Sequence, residues 1–113
     1  MPVTPAPPFR ILAVDDDPIV LSLVARVLGR EGFSVSTAPG PIEAVSLAEA
    51  MPYDAVITDL AMEVMTGLDL IRQVKSSQPA LACVLMTGAG TRDDAIRALR
   101  EGVFDYVEKP FAN

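Results

Sequence analysis

The stretch Ile11-Leu12-Ala13-Val14-Asp15-Asp16-Asp17-Pro18 lies near the start of this 113-residue chain and indicates its first strand and helix. Its first half is a short apolar run, which is typical of a strand buried on both faces of a sheet. A helix is expected immediately afterwards, because Asp17 can cap the first turn and Pro18 suits the first helical position. The stretch therefore predicts a strand that ends in acidic residues and leads directly into a helix.

Four further segments have the length and composition of strands. They lie at 33–38, 55–58, 81–86 and 106–107. Nearly apolar strands that alternate with helices of about ten residues indicate right-handed βαβ units and a parallel sheet. The sequence therefore predicts a single α/β domain, doubly wound and flavodoxin-like, with a five-stranded parallel sheet.

The segments between the strands carry helix signals. The first helix is predicted to begin at Pro18 and to end just before Gly32, with Ile19 in its apolar stripe. The second is predicted to begin at Pro41, with Ile42 available for packing. Two more helices are expected around Leu68–Val74 and between Thr91 and Gly102.

The amino-acid composition argues against several classes of protein and site. The chain has 15 acidic and 9 basic residues, a net charge of -6, which disfavours a nucleic-acid or anionic-membrane binder. It has no histidine, so a histidine base or metal ligand is excluded, and its single cysteine, Cys83, is predicted to be a buried, inert thiol. No apolar run approaches the roughly 18 residues of a membrane span. We therefore expect an acidic cytoplasmic domain without a nucleic-acid or membrane partner.

Polar side chains of use in phosphate or metal chemistry follow four of the five predicted strands. Asp15 and Asp16 follow the first, Asp59 the third, Thr87 the fourth and Lys109 the fifth. The carboxyl ends of parallel strands meet at one edge of the sheet, and open α/β folds bind their ligands there. The sequence therefore predicts a site at that edge.

The acidic residues at this edge predict a divalent cation. Two like charges about 4 Å apart repel by roughly 4 kcal/mol at an effective dielectric constant near 20. Mg²⁺ relieves this repulsion through one or two carboxylates and shares oxygens with a phosphate. Asp17 is better placed as a helix cap, which leaves Asp15 and Asp16 for the ion. Beside such a cation, Asp59 becomes a candidate nucleophile that forms an acyl phosphate.

Each of these side chains also has an ordinary structural interpretation. The acids could form a solvated loop, and Asp59 could cap a turn. Thr87 is a common strand residue, and Lys109 could be a surface lysine before a turn. Their joint placement on one edge favours the functional interpretation.

Four motifs, in this order and spacing, closely resemble the receiver domain of two-component response regulators, the chemotaxis-regulator-like superfamily of bacterial signalling proteins. The resemblance runs from about Phe9 to Phe111 and implies the strand order 2-1-3-4-5. The motifs are the acidic stretch at 11–18, Asp59-Leu60-Ala61-Met62 with Met65 and Gly67, Met86-Thr87-Gly88, and Tyr106 with Lys109-Pro110-Phe111.

The resemblance implies a phosphoacceptor and a metal site. Asp59 would accept the phosphoryl group of a phosphohistidine on a sensor histidine kinase or a histidine phosphotransfer protein. Asp16 would bind Mg²⁺ directly, Asp15 would hold a metal-bound water, and Asp59 and the backbone carbonyl of Ala61 would complete the protein ligands. Mn²⁺ is an expected substitute for Mg²⁺.

The resemblance also implies a switch. Lys109 would pair with a phosphoryl oxygen, and its peptide bond to Pro110 would be cis. Thr87 would turn toward the phosphoryl group, and Tyr106 would change rotamer and reshape a protein-interaction face. Such a domain catalyses its own phosphorylation and dephosphorylation without a separate substrate, so it is not a conventional enzyme.

Three residues depart from the family pattern. Glu63 stands where the family usually has proline, which places an extra negative charge near the site. Ala61 and Ala89 stand where family side chains help to set the access of the hydrolytic water. Because neither alanine can orient a water molecule, we expect slow self-dephosphorylation.

The two ends of the chain carry separate expectations. Residues 1–8 are predicted to form a mobile, proline-rich leader, and 9–113 to form the receiver domain. The family continues with a fifth helix after the Lys-Pro-Phe motif, whereas only Ala112 and Asn113 follow here. We therefore expect either a piece of a longer protein or a partner over the exposed face, most simply a homodimer.

Two other functions remain open. One is a receiver-like interaction module that is never phosphorylated, which the intact set of acidic, threonine and lysine residues disfavours. The other is a Mg²⁺-dependent phosphohydrolase with an aspartate nucleophile. Families of that kind use Asp-x-Asp, and here the second position is Ala61.

Overall fold

The computed structural model describes residues 9–60, 62, 65–88 and 105–108, with the main chain only at 105, 106 and 108. The predicted leader at 1–8 and the predicted helix at 91–102 lie outside these residues. In chain order the elements are β1 (Arg10–Val14), α1 (Pro18–Arg30), β2 (Ser34–Ala38), α2 (Pro41–Ala50), β3 (Ala55–Asp59), α3 (Gly67–Ser77), β4 (Ala82–Thr87) and β5 (Asp105–Glu108).

The five strands form one parallel sheet in the order β2-β1-β3-β4-β5. This confirms the predicted fold class and strand order. The chain leaves β1 toward β2 on one side and continues through β3 on the other, so the winding direction reverses between β1 and β3. A crevice opens outside the carboxyl ends of the strands at such a reversal, which is where this class of fold places a ligand.

The side chains of the sheet alternate between two apolar layers, because successive residues of a strand point to opposite faces. Leu12 and Val14 pack with buried residues of α2 and α3, whereas Ala13 packs with Leu21 and Val24 of α1. The helices therefore cover both faces of the sheet, as the nearly apolar strands predicted.

Helix α1 has the ends that the sequence predicted. The Asp17 carboxylate accepts a hydrogen bond from the main-chain N–H of Ile19 at 2.9 Å, so it caps the first turn. At the other end Gly32 has a φ of 92°, a left-handed conformation that glycine adopts without strain. The main-chain N–H of Gly32 donates to the carbonyl of Gly29 at 3.1 Å, which closes the helix.

The sequence placed Ile19 in the apolar stripe of α1 and made Ile42 available for packing in α2, but neither side chain is buried. Ile19 is 77% exposed and Ile42 is 64% exposed. Each lies two residues before the buried residue that faces the sheet, Leu21 in α1 and Ala44 in α2. Two residues correspond to about 200° around a helix, so both isoleucines point away from the sheet.

The three described helices are 13, 10 and 11 residues long. Within the described part of the chain, no helix has the length and apolar character that crossing a membrane requires.

Candidate metal and phosphoacceptor site

Asp15 is the residue that follows β1, and it is fully buried. Its main-chain N–H donates to the carbonyl of Ala38 at 3.2 Å, which extends the pairing of β1 with β2 by one residue. Its Oδ1 accepts a hydrogen bond from the main-chain N–H of Asp17 at 2.9 Å. A tight turn therefore holds this carboxylate at the carboxyl edge of the sheet.

Asp59 is the last residue of β3 and is paired in register with Met86 of β4. It is 7% exposed. The hydroxyl of Thr58, which is fully buried, donates to the main-chain carbonyl of Asp59 at 3.0 Å. The sheet therefore fixes the main chain of Asp59, while its carboxylate stands at the edge of the sheet.

The carboxylates of Asp15, Asp16 and Asp59 meet at this edge. One oxygen from each lies within 4.8 Å of the others, and Asp16 is the exposed member. At that separation the two buried carboxylates repel by roughly 3–4 kcal/mol at an effective dielectric constant near 20. Three carboxylates that meet in this way offer the hard oxygen donors that Mg²⁺ binds. The residues present therefore fit a divalent cation.

Thr87 is the last residue of β4, and its side chain is fully buried. Its hydroxyl donates to the main-chain carbonyl of Val107 in β5 at 3.4 Å. This distance is long for a hydrogen bond between oxygens, so the contact is weak. The hydroxyl lies at the same edge of the sheet as the acidic residues but is engaged with β5.

The remaining predicted site residues lie wholly or partly outside the described residues. Glu108, which precedes Lys109 in the sequence, pairs with Thr87 through its main chain, so β5 ends at the carboxyl edge of the sheet. The main chain of Tyr106 pairs with Leu85, and its side chain is not among those described. Ala61, Glu63, Ala89, Lys109 and Pro110 are outside the described residues, so what was predicted for them stays a prediction.

An open depression of about 450 Å³ adjoins the acidic cluster. Because Asp16 is part of its wall, the cluster can be approached from the side of α2. The lining residues are Asp16, Pro39, Gly40, Pro41, Ile42, Glu43 and Met62.

Thr58 and Gly67 were not predicted as site residues, yet both contact the main chain of Asp59. Gly67 was part of a quoted motif without a role of its own. The available signal was its position, since α1 and α2 begin with proline and α3 begins with this glycine.

A sequence profile described as the response regulator receiver domain matches residues 11–113. The chain belongs to that family. The transcriptional regulatory protein GlrR of Escherichia coli is 37% identical over 103 residues, which cover 91% of this chain and 23% of GlrR. The receiver domain thus spans less than half of the length of the curated relatives it matches.

Solved structures agree with this assignment. A response regulator receiver domain protein from Clostridium thermocellum superposes with a TM-score of 0.86 at 34% identity and covers 92% of this chain and 84% of its own. A response regulator from Burkholderia pseudomallei, solved with a phosphorylated aspartic acid, calcium ion and citrate, has a TM-score of 0.82 at 30% identity. That alignment covers 92% of this chain and 61% of the Burkholderia chain. Aspartate phosphorylation is typical of the family, and the predicted resemblance is confirmed.

Proposed function

We propose that this receiver domain accepts a phosphoryl group on Asp59 from the phosphohistidine of a sensor histidine kinase or a histidine phosphotransfer protein. One observation carries the proposal. The nearly buried Asp59 carboxylate ends β3 at the point where the fold binds ligands, within 4.8 Å of the carboxylates of Asp15 and Asp16.

The transfer needs a nucleophile and a leaving group. A carboxylate oxygen of Asp59 attacks phosphorus as the bond from phosphorus to the donor imidazole nitrogen breaks, and the released imidazole takes up a proton. The product is an acyl phosphate. Because residues 1–113 include no histidine, the donor imidazole lies outside this domain.

Asp15, Asp16 and Asp59 would hold Mg²⁺, with the Ala61 carbonyl as a further ligand and Mn²⁺ as a substitute. The ion supplies positive charge that offsets the phosphoryl oxygens. The Burkholderia relative, which was solved with a phosphorylated aspartic acid and a calcium ion, supports both an aspartyl phosphate and a divalent cation in this family. Asp15 and Asp16 would hold the ion beside Asp59, and Lys109 would place a second positive charge next to the phosphoryl group.

Thr87 would transmit the effect of phosphorylation from the site to β5. In the described structure its hydroxyl donates to the Val107 carbonyl at 3.4 Å, a contact that is weak enough to be exchanged. Turning toward a phosphoryl oxygen would form a stronger, charge-assisted hydrogen bond and release the main chain of β5. Tyr106 lies on β5 and would follow, so the face around that strand would change its partner preference.

We extend the proposal to the location of the domain and to what it controls. The domain would act in the cytoplasm, would turn over only its own phosphoryl group, and would control an output that lies in another domain or protein. A homodimer of the domain remains a prediction.

Incubation with acetyl phosphate and Mg²⁺, followed by intact mass spectrometry, tests this function. The wild-type domain should gain one phosphoryl group, and Asp59→Asn should gain none. Asp69→Asn is the matched control, since that exposed carboxylate pairs with Arg72 on α3 and should leave phosphorylation unchanged.

Each competing function gives a different result. An interaction module would take no phosphoryl group from acetyl phosphate or from any phosphorylated histidine kinase. A phosphohydrolase would release inorganic phosphate over many turnovers from an added phosphate ester. Equal phosphorylation of the wild type and Asp59→Asn would contradict the assignment of the acceptor.

A further inference from the structure

Gly67, the first residue of α3, lies directly against the main chain of Asp59. Its N–H donates to the carbonyl of Leu60 at 2.8 Å. A Cβ atom added at Gly67 would overlap the carbonyl oxygen of Asp59 and would come within 3.0 Å of the Asp59 carbonyl carbon and of the Leu60 Cα. All three atoms belong to the main chain, so they cannot move aside as a flexible side chain can.

The Asp59 carbonyl is held from a second direction. The Thr58 hydroxyl donates to it at 3.0 Å, and Thr58 is fully buried. The next residue, Leu60, donates its main-chain N–H to the carbonyl of Met86 at 3.1 Å. The peptide that follows the Asp59 side chain is therefore enclosed between α3 on one side and the sheet on the other.

Space, rather than backbone conformation, requires glycine at position 67. Among the described residues, Gly32 is the glycine with a positive φ, so a left-handed conformation does not explain Gly67. A Cβ at Gly29 would meet nothing within 4 Å. Gly67 is thus the helical glycine whose missing side chain allows two segments of main chain to touch.

We propose that Gly67, together with the Thr58 hydroxyl, is a positioning residue for Asp59. The close approach of α3 sets the position of the Asp59 main chain, and its carboxylate is separated from that main chain by a single methylene group. A displacement at the contact therefore changes the spacing between the carboxylates of Asp59, Asp15 and Asp16. This inference rests on the proposed function and deepens it.

The Gly67→Ala variant tests the proposal at a temperature where it remains fully folded. We expect its affinity for Mg²⁺, titrated calorimetrically, and its phosphorylation rate by acetyl phosphate at saturating Mg²⁺ each to fall roughly 10–100-fold, the usual cost of losing a group that orients a metal ligand. A merely structural glycine would lower the melting temperature and leave both quantities unchanged. Wild-type values in folded Gly67→Ala would overturn the proposal.

Two control variants separate positioning from loss of stability. Gly29→Ala adds the same methyl group to α1, where it meets nothing within 4 Å, and should change neither quantity. Thr66→Ala removes the hydroxyl that accepts the N–H of Asp69 at 3.1 Å, which weakens the start of α3 without adding an atom near Asp59. It should melt at a lower temperature with wild-type Mg²⁺ affinity; a weakened affinity in Thr66→Ala would overturn the proposal.

A second pair of variants covers the case in which Gly67→Ala does not fold. Thr58→Val keeps the shape of the side chain and removes the hydrogen bond to the Asp59 carbonyl, so Mg²⁺ affinity should fall in the same direction. Thr58→Ser restores the hydroxyl and should restore the affinity. Equal affinities in Thr58→Val and the wild type would overturn the proposal.

The Mg²⁺ titration also distinguishes this inference from the proposed function. A wild-type domain that binds Mg²⁺ but takes no phosphoryl group would contradict the proposed function. In that case the Mg²⁺ affinities of the wild type and Gly67→Ala would still test whether Gly67 positions Asp59. A wild type that is phosphorylated, with Gly67→Ala equal to it, would contradict the positioning role alone.

Discussion

Cys83 lies inside β4 with a fully buried side chain. Burial raises the pKa of its thiol above the ordinary value of 9.0, and the nearby positive charge of Lys75 offsets part of that rise. Because the thiolate is the reactive form and the buried sulfur is inaccessible, this cysteine should be inert in the native domain. The sequence prediction of a buried thiol is confirmed.

Alkylation of Cys83 by iodoacetamide at mildly alkaline pH should be slower in the folded domain than in urea-unfolded chain by a thousandfold or more, on the order of the equilibrium constant for opening the core. Mass spectrometry of quenched time points gives both rates. Comparable rates in the two states would show that the sulfur is reached without opening of the sheet.

The raised pKa of Cys83 also predicts how stability changes with pH. The thiol ionises at lower pH in the unfolded chain than in the folded one, so its contribution is complete below 9.0 and is lost as the pH rises through the folded-state value. The stability advantage of the wild type over Cys83→Ala, measured by urea unfolding, should therefore shrink at alkaline pH. A constant difference across that range would contradict the shift.

The residues of the site differ in how well the sequence could predict them. Asp15 and Asp59 could be placed because each comes at the end of an apolar run, and the ends of parallel strands share one edge. The contact of Gly67 with the Asp59 carbonyl could not be predicted. It depends on how closely α3 approaches β3, which a periodic pattern does not encode.

At the scale of the element, α1 depends on its cap. The Asp17 carboxylate accepts the N–H of Ile19 at 2.9 Å. Asp17→Ala removes both the cap and a negative charge beside the acidic cluster, whereas Asp17→Asn removes the charge and keeps a side chain that can cap. Urea unfolding should find Asp17→Asn more stable than Asp17→Ala by about 1 kcal/mol. Equal stabilities would show that the cap contributes nothing.

The exposed start of α1 predicts a contact with the phosphodonor. Ile19 is 77% exposed and lies in the turn of helix that follows Asp15 and Asp16. If a kinase covers this side chain, Ile19→Ser should slow transfer from a phosphorylated histidine kinase about fivefold or more, the effect of losing at least 1 kcal/mol of interface energy. Phosphorylation by acetyl phosphate should be unchanged, because a small donor needs no docking surface.

Met51→Ser is the matched control for that experiment. Met51 is also an exposed apolar residue, at 37%, but it follows the far end of α2, away from the acidic edge. Its substitution should leave transfer from the kinase at the wild-type rate. A loss of transfer in Met51→Ser as large as that in Ile19→Ser would point to general destabilisation.

The helices also show that the periodicity of apolar residues does not always identify the buried face. Capping residues and prolines predicted the starts of α1 and α2, because those signals are local. The choice of buried face was wrong at Ile19 and Ile42, since both helices are apolar on more than one side and only the position of the sheet decides which side is covered. The predicted fourth helix lies outside the described residues.

At the scale of the molecule, the apolar runs predicted the parallel sheet because a strand buried on both faces cannot carry polar side chains at alternate positions. The strand order was predicted from the family resemblance, since strand patterns alone do not say which strands are neighbours. The net charge of -6 has a local component that composition could not reveal. Part of it is concentrated where Asp15, Asp16 and Asp59 meet.

That concentration of charge predicts that the stability of the whole domain depends on a divalent cation. An ion that binds only the folded state stabilises it by about 2.7 kcal/mol at roughly a hundred times its Kd. Thermal unfolding should therefore shift to a higher temperature with Mg²⁺ at constant ionic strength, and NaCl at equal ionic strength should not reproduce the shift.

The Asp15→Asn variant distinguishes an ion bound at the acidic cluster from an ion bound elsewhere. It removes one charge from the cluster, but its side-chain oxygen can still accept the N–H of Asp17. Without Mg²⁺ this variant should be at least as stable as the wild type, since one repelling charge is gone, and added Mg²⁺ should shift its unfolding much less. An equal Mg²⁺ shift in the two proteins would mean that the ion binds elsewhere on the molecule.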